Sequence, residues 1–162
     1  MRILGIDPGL ATIGLGLIEA PNNQKVEAIE WLTIETAPAM SFADRLAEIA
    51  ENLDTYLTEN RPELVVIEKL YFSVNEKTAL DVAHARGVIV ATVAQKKIPI
   101  LEPTPPQLKL CIAGDGKADK KQMQRMIVTL FHLDETPTPD DAADALALAA
   151  YGAFQGKHSL IA

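Results

Sequence analysis

Two short apolar runs, each ending in a carboxylate, constrain this chain more than any other feature. The first is Ile3-Leu4-Gly5-Ile6-Asp7, closed by Pro8-Gly9, and the second is Leu64-Val65-Val66-Ile67-Glu68. Runs this short and this apolar predict buried strands. Between them, Thr12 to Ala20 reads as a second strand, with Gly14 and Gly16 marking close backbone approach. Pro21-Asn22-Asn23 reads as a turn. Lys25 to Glu35 alternates apolar and charged residues, as a half-exposed antiparallel strand does. Ser41 opens a helix with Asp44 placed for a capping box. Leu46, Ile49, Ala50, Leu53 and Leu57 keep a 3.6-residue period, while Asp44, Glu48, Glu51 and Asp54 face water. That helix is a crossover, so the fourth strand returns parallel to the first and beside it. Asp7 and Glu68 then emerge at neighbouring carboxyl ends, where open α/β sheets build their sites. Taken alone, Asp7 is better explained as the first residue of a Pro-Gly turn, a reading that loses ground because three more carboxylates sit in equally apolar settings.

The remainder supplies a fifth strand and more helices. Tyr71-Phe72-Ser73-Val74-Asn75 reads as a loop with adjacent aromatics. Thr78 to Ala94 reads as a helix apolar on nearly every side, and a subunit interface is the simplest cover for its second face. Ile98 to Leu101 is a strand, and a proline-rich start opens a short helix through Ile112. Gly114-Asp115-Gly116 is a loop, and Asp119 caps a helix to about Leu133. The expected architecture is α/β: a five-stranded mixed sheet, made of a three-strand antiparallel meander plus two parallel strands, flanked by helices. One domain spans 1–155, followed by a short tail, 156–162.

Charge is distributed unevenly. The net formal charge is −7, and the segment from Glu19 to Glu63, with ten acidic and three basic residues, carries all of it. Between Lys109 and Arg125 the balance reverses, five basic residues against two acidic. A polyanion therefore meets one face only. The single cysteine, Cys111, excludes an internal disulfide and reads as a buried, inert thiol. No secretory signal or membrane-length apolar run is visible, so the expected location is cytoplasmic.

The last helix carries the decisive acids. Thr138-Pro139-Asp140-Asp141 is a helix start, with Thr as N-cap and Pro at the first position. Capping accounts for Asp140 and accommodates Asp141. It does not account for Asp144, which stands inside an otherwise wholly apolar stretch from Ala142 to Ala150. An ionised group left unpaired there costs several kcal/mol. Asp141 and Asp144 are three residues apart and share a helix face. With Asp7 and Glu68 they make four carboxylates, with no Lys or Arg evident in the cluster, which suits hard divalent cations held through oxygen. Zinc spacing is absent, and His84, His132 and His158 show no pairing. A glycosidase pair needs only carboxylates, but the chain's size and single tryptophan speak against it. Two Mg²⁺ ions about 4 Å apart, clamping a scissile phosphate, fit better, with phosphodiester hydrolysis as the reaction.

The succession G-I-D-P-G-L, V-V-I-E-K-L-Y-F, A-R-G-V, G-K-A-D-K-K-Q and D-A-A-D-A-L-A-L-A, in order from about residue 1 to 155, closely resembles the RuvC-type Holliday junction resolvases. The resemblance implies an RNase H-like fold and a homodimer that nicks four-way DNA junctions symmetrically during recombination and repair. It also implies Mg²⁺, with Asp7, Glu68, Asp141 and Asp144 as metal-binding catalytic acids, and Mn²⁺ as a plausible substitute. A hexameric branch-migration motor and its junction-binding subunit, of RuvB and RuvA type, are the implied partners.

In this reading Asp7 bridges two ions, Glu68 and Asp144 hold one, and Asp141 holds the other. In-line attack by water leaves a 5′-phosphate and a 3′-hydroxyl. Lys109, Lys117, Lys120, Lys121 and Arg125 line the DNA track, with Lys109 and Lys120 where the family places DNA-contacting lysines. Tyr71 and Phe72 stand ready to stack on unpaired bases, Phe72 being the better candidate to pack inward. The chain departs from the family in having Tyr71 where phenylalanine is usual and Lys69 where glutamine is common. Asp140 doubles the acid before D-A-A-D, and helix phase favours Asp141 as the ligand. The rival readings are a YqgF-like nuclease acting on RNA, a sugar-kinase or actin-type ATPase, which needs two such domains, and a non-catalytic junction-binding module.

Overall fold

The computed structural model of the protein describes residues 1–22, 25–70 and 76–159. Its strands are β1 (Arg2–Asp7), β2 (Thr12–Asn22), β3 (Lys25–Glu35), β4 (Leu64–Ile67) and β5 (Ile100–Leu101). The helices are α1 (Phe42–Asn60), α2 (Glu76–Gln95), α3 (Pro105–Ala113), α4 (Lys120–Phe131) and α5 (Asp140–Ser159). The strands form one sheet in the order β3-β2-β1-β4-β5. β1 is antiparallel to β2 and parallel to β4, and β4 is parallel to β5. The meander and the crossover thus stand as the apolar runs foretell.

Strand alternation divides the core into two layers. Leu4, Ile6, Leu15, Leu17, Val65 and Ile67 point to one face and pack on Ile49 and Leu53 of α1 and on Ala85, Ile89 and Val93 of α2. Ile3, Ile18, Leu64 and Val66 point to the other, under α3, α4 and α5. Residues are sent to opposite faces at successive positions because the strand repeats every two residues.

Local chemistry sets the helix ends. Ser41 caps α1 through the Asp44 amide, while Thr104 with Gln107 and Asp119 with Gln122 form reciprocal capping boxes at α3 and α4. Three boundaries differ from the sequence reading. β2 continues through Pro21 and Asn22, β5 is only two residues long, and α5 begins at Asp140, leaving Pro139 outside it on a cis Thr138–Pro139 bond. α5 also runs without a break across residue 155 to Ser159. On α2 only one side is buried. Leu80 is 62% exposed, and His84, Gly87, Ala91 and Ala94 are exposed with it.

Candidate active site

The site is created by how closely α5 lies on the sheet. On β1, Gly5 and Asp7 point to the α5 side, and their cross-strand partners on β2 are Gly16 and Gly14. A Cβ on Gly5 would stand 1.9 Å from the Ala145 carbonyl oxygen, one on Gly14 2.0 Å from the Asp141 oxygen, and one on Gly16 2.6 Å from the Leu146 nitrogen. The three glycines form a trough, and the backbone of α5 lies in it. No side chain fits between them. The alanines of α5 complete the contact: Ala142, Ala145 and Ala149 are fully buried. Because the Asp141 backbone rests on Gly14, the register partner of Asp7, Asp141 arrives beside Asp7. Asp144 follows on the same helix face.

Glu68 arrives from the other side. It is one residue beyond the Ile6–Ile67 pair, the last of the parallel β1–β4 register, so it leaves the sheet level with Asp7. Asp7, Glu68 and Asp144 line one cleft of about 330 Å³, together with Lys109 from α3 and Lys120 from α4. Asp141 lines a second cleft of about 340 Å³ with Gly9, Thr12, Arg45 and Asp81.

The electrostatics follow from this crowding. Burial and then the neighbouring carboxylates Asp144, Asp141 and Glu68 push the Asp7 carboxyl up to about 8. Burial and Asp144 raise Glu68, against the pull of Lys109. Burial raises Asp144, against Lys120. Mutual repulsion in a partly dry cleft is the condition a divalent cation relieves, and every available donor is a hard oxygen. The donor set therefore fits magnesium-like ions. As the side chains are oriented, no three acids among the described residues form a complete cage.

One expectation is overturned. The cluster does contain a cation from the chain itself: Lys120 Nζ lies 2.9 Å from Asp140 Oδ2 and 3.6 Å from Asp144 Oδ2. The carboxylates of α5 attract the nearest ammonium, and α4 packs on α5 so that its first residue reaches them. Asp140 also accepts from Gln124 Nε2 at 3.1 Å, and Lys120 lowers its pKa. Asp140 thus faces α4, engaged by Lys120 and Gln124.

The basic residues separate into two groups. Lys109 and Lys120 share the cleft with the acids. Lys117, Lys121 and Arg125 are exposed outside it, and Arg125 lines a separate cleft with Asp115, Gln122 and Met126. Tyr71 and Phe72 lie outside the described residues. The sequence reading missed Gly5 as a contact position. Its only signal was a glycine interrupting an otherwise apolar buried strand.

The family model described as "Crossover junction endodeoxyribonuclease RuvC" matches residues 3–151. The RuvC of Caldicellulosiruptor saccharolyticus is 45% identical over 149 residues, covering 92% of this chain and 90% of that protein. The RuvC of Alkaliphilus oremlandii is 46% identical over 156 residues, covering 96% and 94%. Among solved structures, Thermus thermophilus RuvC superposes with a TM-score of 0.90 at 29% identity, covering 98% of this chain and 97% of that one. The same protein in complex with a Holliday junction substrate gives 0.87 at 27% identity, covering 98% and 96%. The yeast mitochondrial resolvase Ydc2, at 17% identity and a TM-score of 0.66, shares the fold. This five-stranded mixed sheet flanked by helices is the RNase H-like fold of such resolvases.

Proposed function

The chain belongs to the RuvC family of crossover junction endodeoxyribonucleases, and from that premise we infer that it resolves Holliday junctions by metal-dependent cleavage at the Asp7 cleft. The observation that carries this assignment to particular residues is the docking of α5 in the glycine trough. It brings acids from β1, the end of β4 and α5 to one place.

The proposed division of labour follows the two clefts. Asp7 lines the first and interacts electrostatically with Asp141 of the second. Glu68 and Asp144 share the first with Asp7, and Asp141 opens on the second. In this reading two Mg²⁺ ions per subunit would be held by these acids, Glu68 and Asp144 with Asp7 on one side and Asp141 with Asp7 on the other. Such ions would supply charge stabilisation at the scissile phosphate and a lowered pKa for the attacking water. The protein's own groups do the rest. β1 and α5 carry Asp7, Asp141 and Asp144, while Lys109 and Lys120 draw the phosphate backbone to the cleft. Lys120 exchanges its contact with Asp144 for a phosphate oxygen when DNA arrives. The products are a 5′-phosphate and a 3′-hydroxyl.

Paired nicking implies two copies of the site, and the one-sided burial of α2 supports a homodimer through its exposed face. Association with RuvA- and RuvB-type motor components belongs to the same proposal. No helix among the described residues is long and apolar enough to cross a membrane.

The test separates a nuclease from a binding module. Purified protein should cut a synthetic four-way junction in Mg²⁺ but not a linear duplex, and EDTA should stop cleavage while a gel-shifted complex persists. Binding without cleavage at any Mg²⁺ or Mn²⁺ concentration favours the module. Preferential cutting of RNA favours the YqgF-like alternative.

A further inference from the structure

Glu68 has no regular strand to hold it. β4 ends at Ile67, so the ladder that fixes the preceding residues stops just before the carboxylate that the cleft needs. Two other contacts replace it. The side chain of Arg86, on α2, turns inward and is only 18% exposed. Its Nε–H donates to the main-chain carbonyl of Glu68 at 3.1 Å, and its Nη2 is ion-paired with Glu102 Oε1. Beside Glu102, the carbonyl of Pro103 accepts the Lys69 N–H at 2.9 Å. The carbonyl of Glu68 and the amide of Lys69 belong to one peptide plane, and both of its polar ends are tied down. Fixing that plane fixes ψ of Glu68 and removes a main source of freedom in the direction of its side chain.

We propose that Arg86 is a positioning residue which, braced by Glu102, locks the Glu68–Lys69 peptide so that the Glu68 carboxylate faces Asp7. The inference rests on the reading of Glu68 as a cation ligand. An arginine suits the task where a lysine does not, because its planar fork donates in two directions from one rigid group. The guanidinium end of the pair is mostly buried, while Glu102 is 40% exposed, so it is the inward-turned arginine and its bond to the Glu68 carbonyl that hold the geometry. Displacing a ligating carboxylate even slightly weakens cation binding before it touches DNA binding. Removal of groups that orient metal ligands typically costs about 10- to 100-fold in metal affinity or activity.

The experiment compares R86Q, R86K, E102Q and E68Q. Four readouts are taken on each: Mn²⁺ binding by calorimetry without DNA, junction affinity in EDTA, single-turnover cleavage in Mg²⁺, and melting temperature. R86Q should weaken Mn²⁺ binding about 10-fold and slow cleavage about 10- to 100-fold, with junction affinity within about 2-fold of the parent. Raising Mn²⁺ should recover part of the rate, which loss of folded protein would not allow. R86K and E102Q should show the same split at smaller size, and R86Q/E102Q should be no worse than R86Q alone. Parental Mn²⁺ affinity in R86K and E102Q overturns the proposal, whether or not R86Q folds. E68Q distinguishes the two levels: if it binds Mn²⁺ and cleaves like the parent, the Glu68 reading itself fails. If E68Q loses both and the Arg86 and Glu102 variants lose neither, only the positioning role fails.

Discussion

Asp7 shows how one residue's placement sets both its cost and its use. Its carboxyl is raised from an ordinary 3.8 to about 8 by burial and by the acids around it. The folded state therefore holds a proton that the unfolded state has released between those two values. The stability this group contributes is complete below pH 3.8 and is lost progressively as pH rises to about 8. In EDTA the melting temperature should fall from pH 6 to pH 9, and D7N should flatten that fall. At pH 8 to 9 D7N should be the more stable protein by about 1–3 kcal/mol, less than the full shift because the cleft admits water. A D7N variant that melts lower than the parent at pH 9 contradicts this account of the cluster. The acids themselves were legible from residue pattern: Asp144 stands alone among alanines and leucines, and Asp7 and Glu68 each end an apolar run. Lys120's place among them was not legible, because it depends on how α4 packs against α5, which no local spacing encodes.

At the scale of elements, the contact between α5 and the sheet organises the site. The sequence reading marked Gly14 and Gly16 as close-approach positions without identifying what approaches, since a strand's partner across a sheet face is a long-range property. The structure supplies the helix and adds Gly5. Gly14→Ala would drive a methyl group into the Asp141 backbone, which has no flexible end to yield. The first turn of α5 must then shift, moving Asp141 and Asp144 relative to Asp7. We expect a loss of about 1–3 kcal/mol in stability and a fall in cleavage larger than the destabilisation explains, with junction binding largely kept. Parental cleavage by a folded G14A protein would show that the close seating of α5 does not position the acids. The helices α1, α3 and α4 were readable to within a residue or two, from Ser41, the proline-rich start and Asp119, although the Thr104 cap of α3 was not singled out. β5 was over-read because Ile98 and Pro99 look like strand residues but lie outside the two-residue pairing with β4.

For the whole molecule, the acidic total charge conceals a polarity. The basic residues nearest the acids, Lys109 and Lys120, face the cleft, while the acidic excess lies in the segment from Glu19 to Glu63. If both lysines meet phosphates, K109A/K120A should flatten the log–log salt dependence of junction affinity by about 2, at roughly 0.9 per phosphate contact. An unchanged slope would mean they meet none. The exposed side of α2, with Leu80 at its start and Gly87, Ala91 and Ala94 along it, should carry the second copy. Ala91→Arg should halve the mass seen by sedimentation and uncouple the paired nicks, and a parent chain already monomeric would dismiss the homodimer.

The most direct measurement of the central claim, that cations held by acids gathered under α5 cut a four-way junction, is cleavage by D7N beside its junction binding. With a strand-labelled synthetic junction in Mg²⁺, the parent should yield symmetric nicks bearing 5′-phosphates. D7N should bind that junction with unaltered affinity and leave every strand whole. Nicks from D7N at the parental rate would contradict the account.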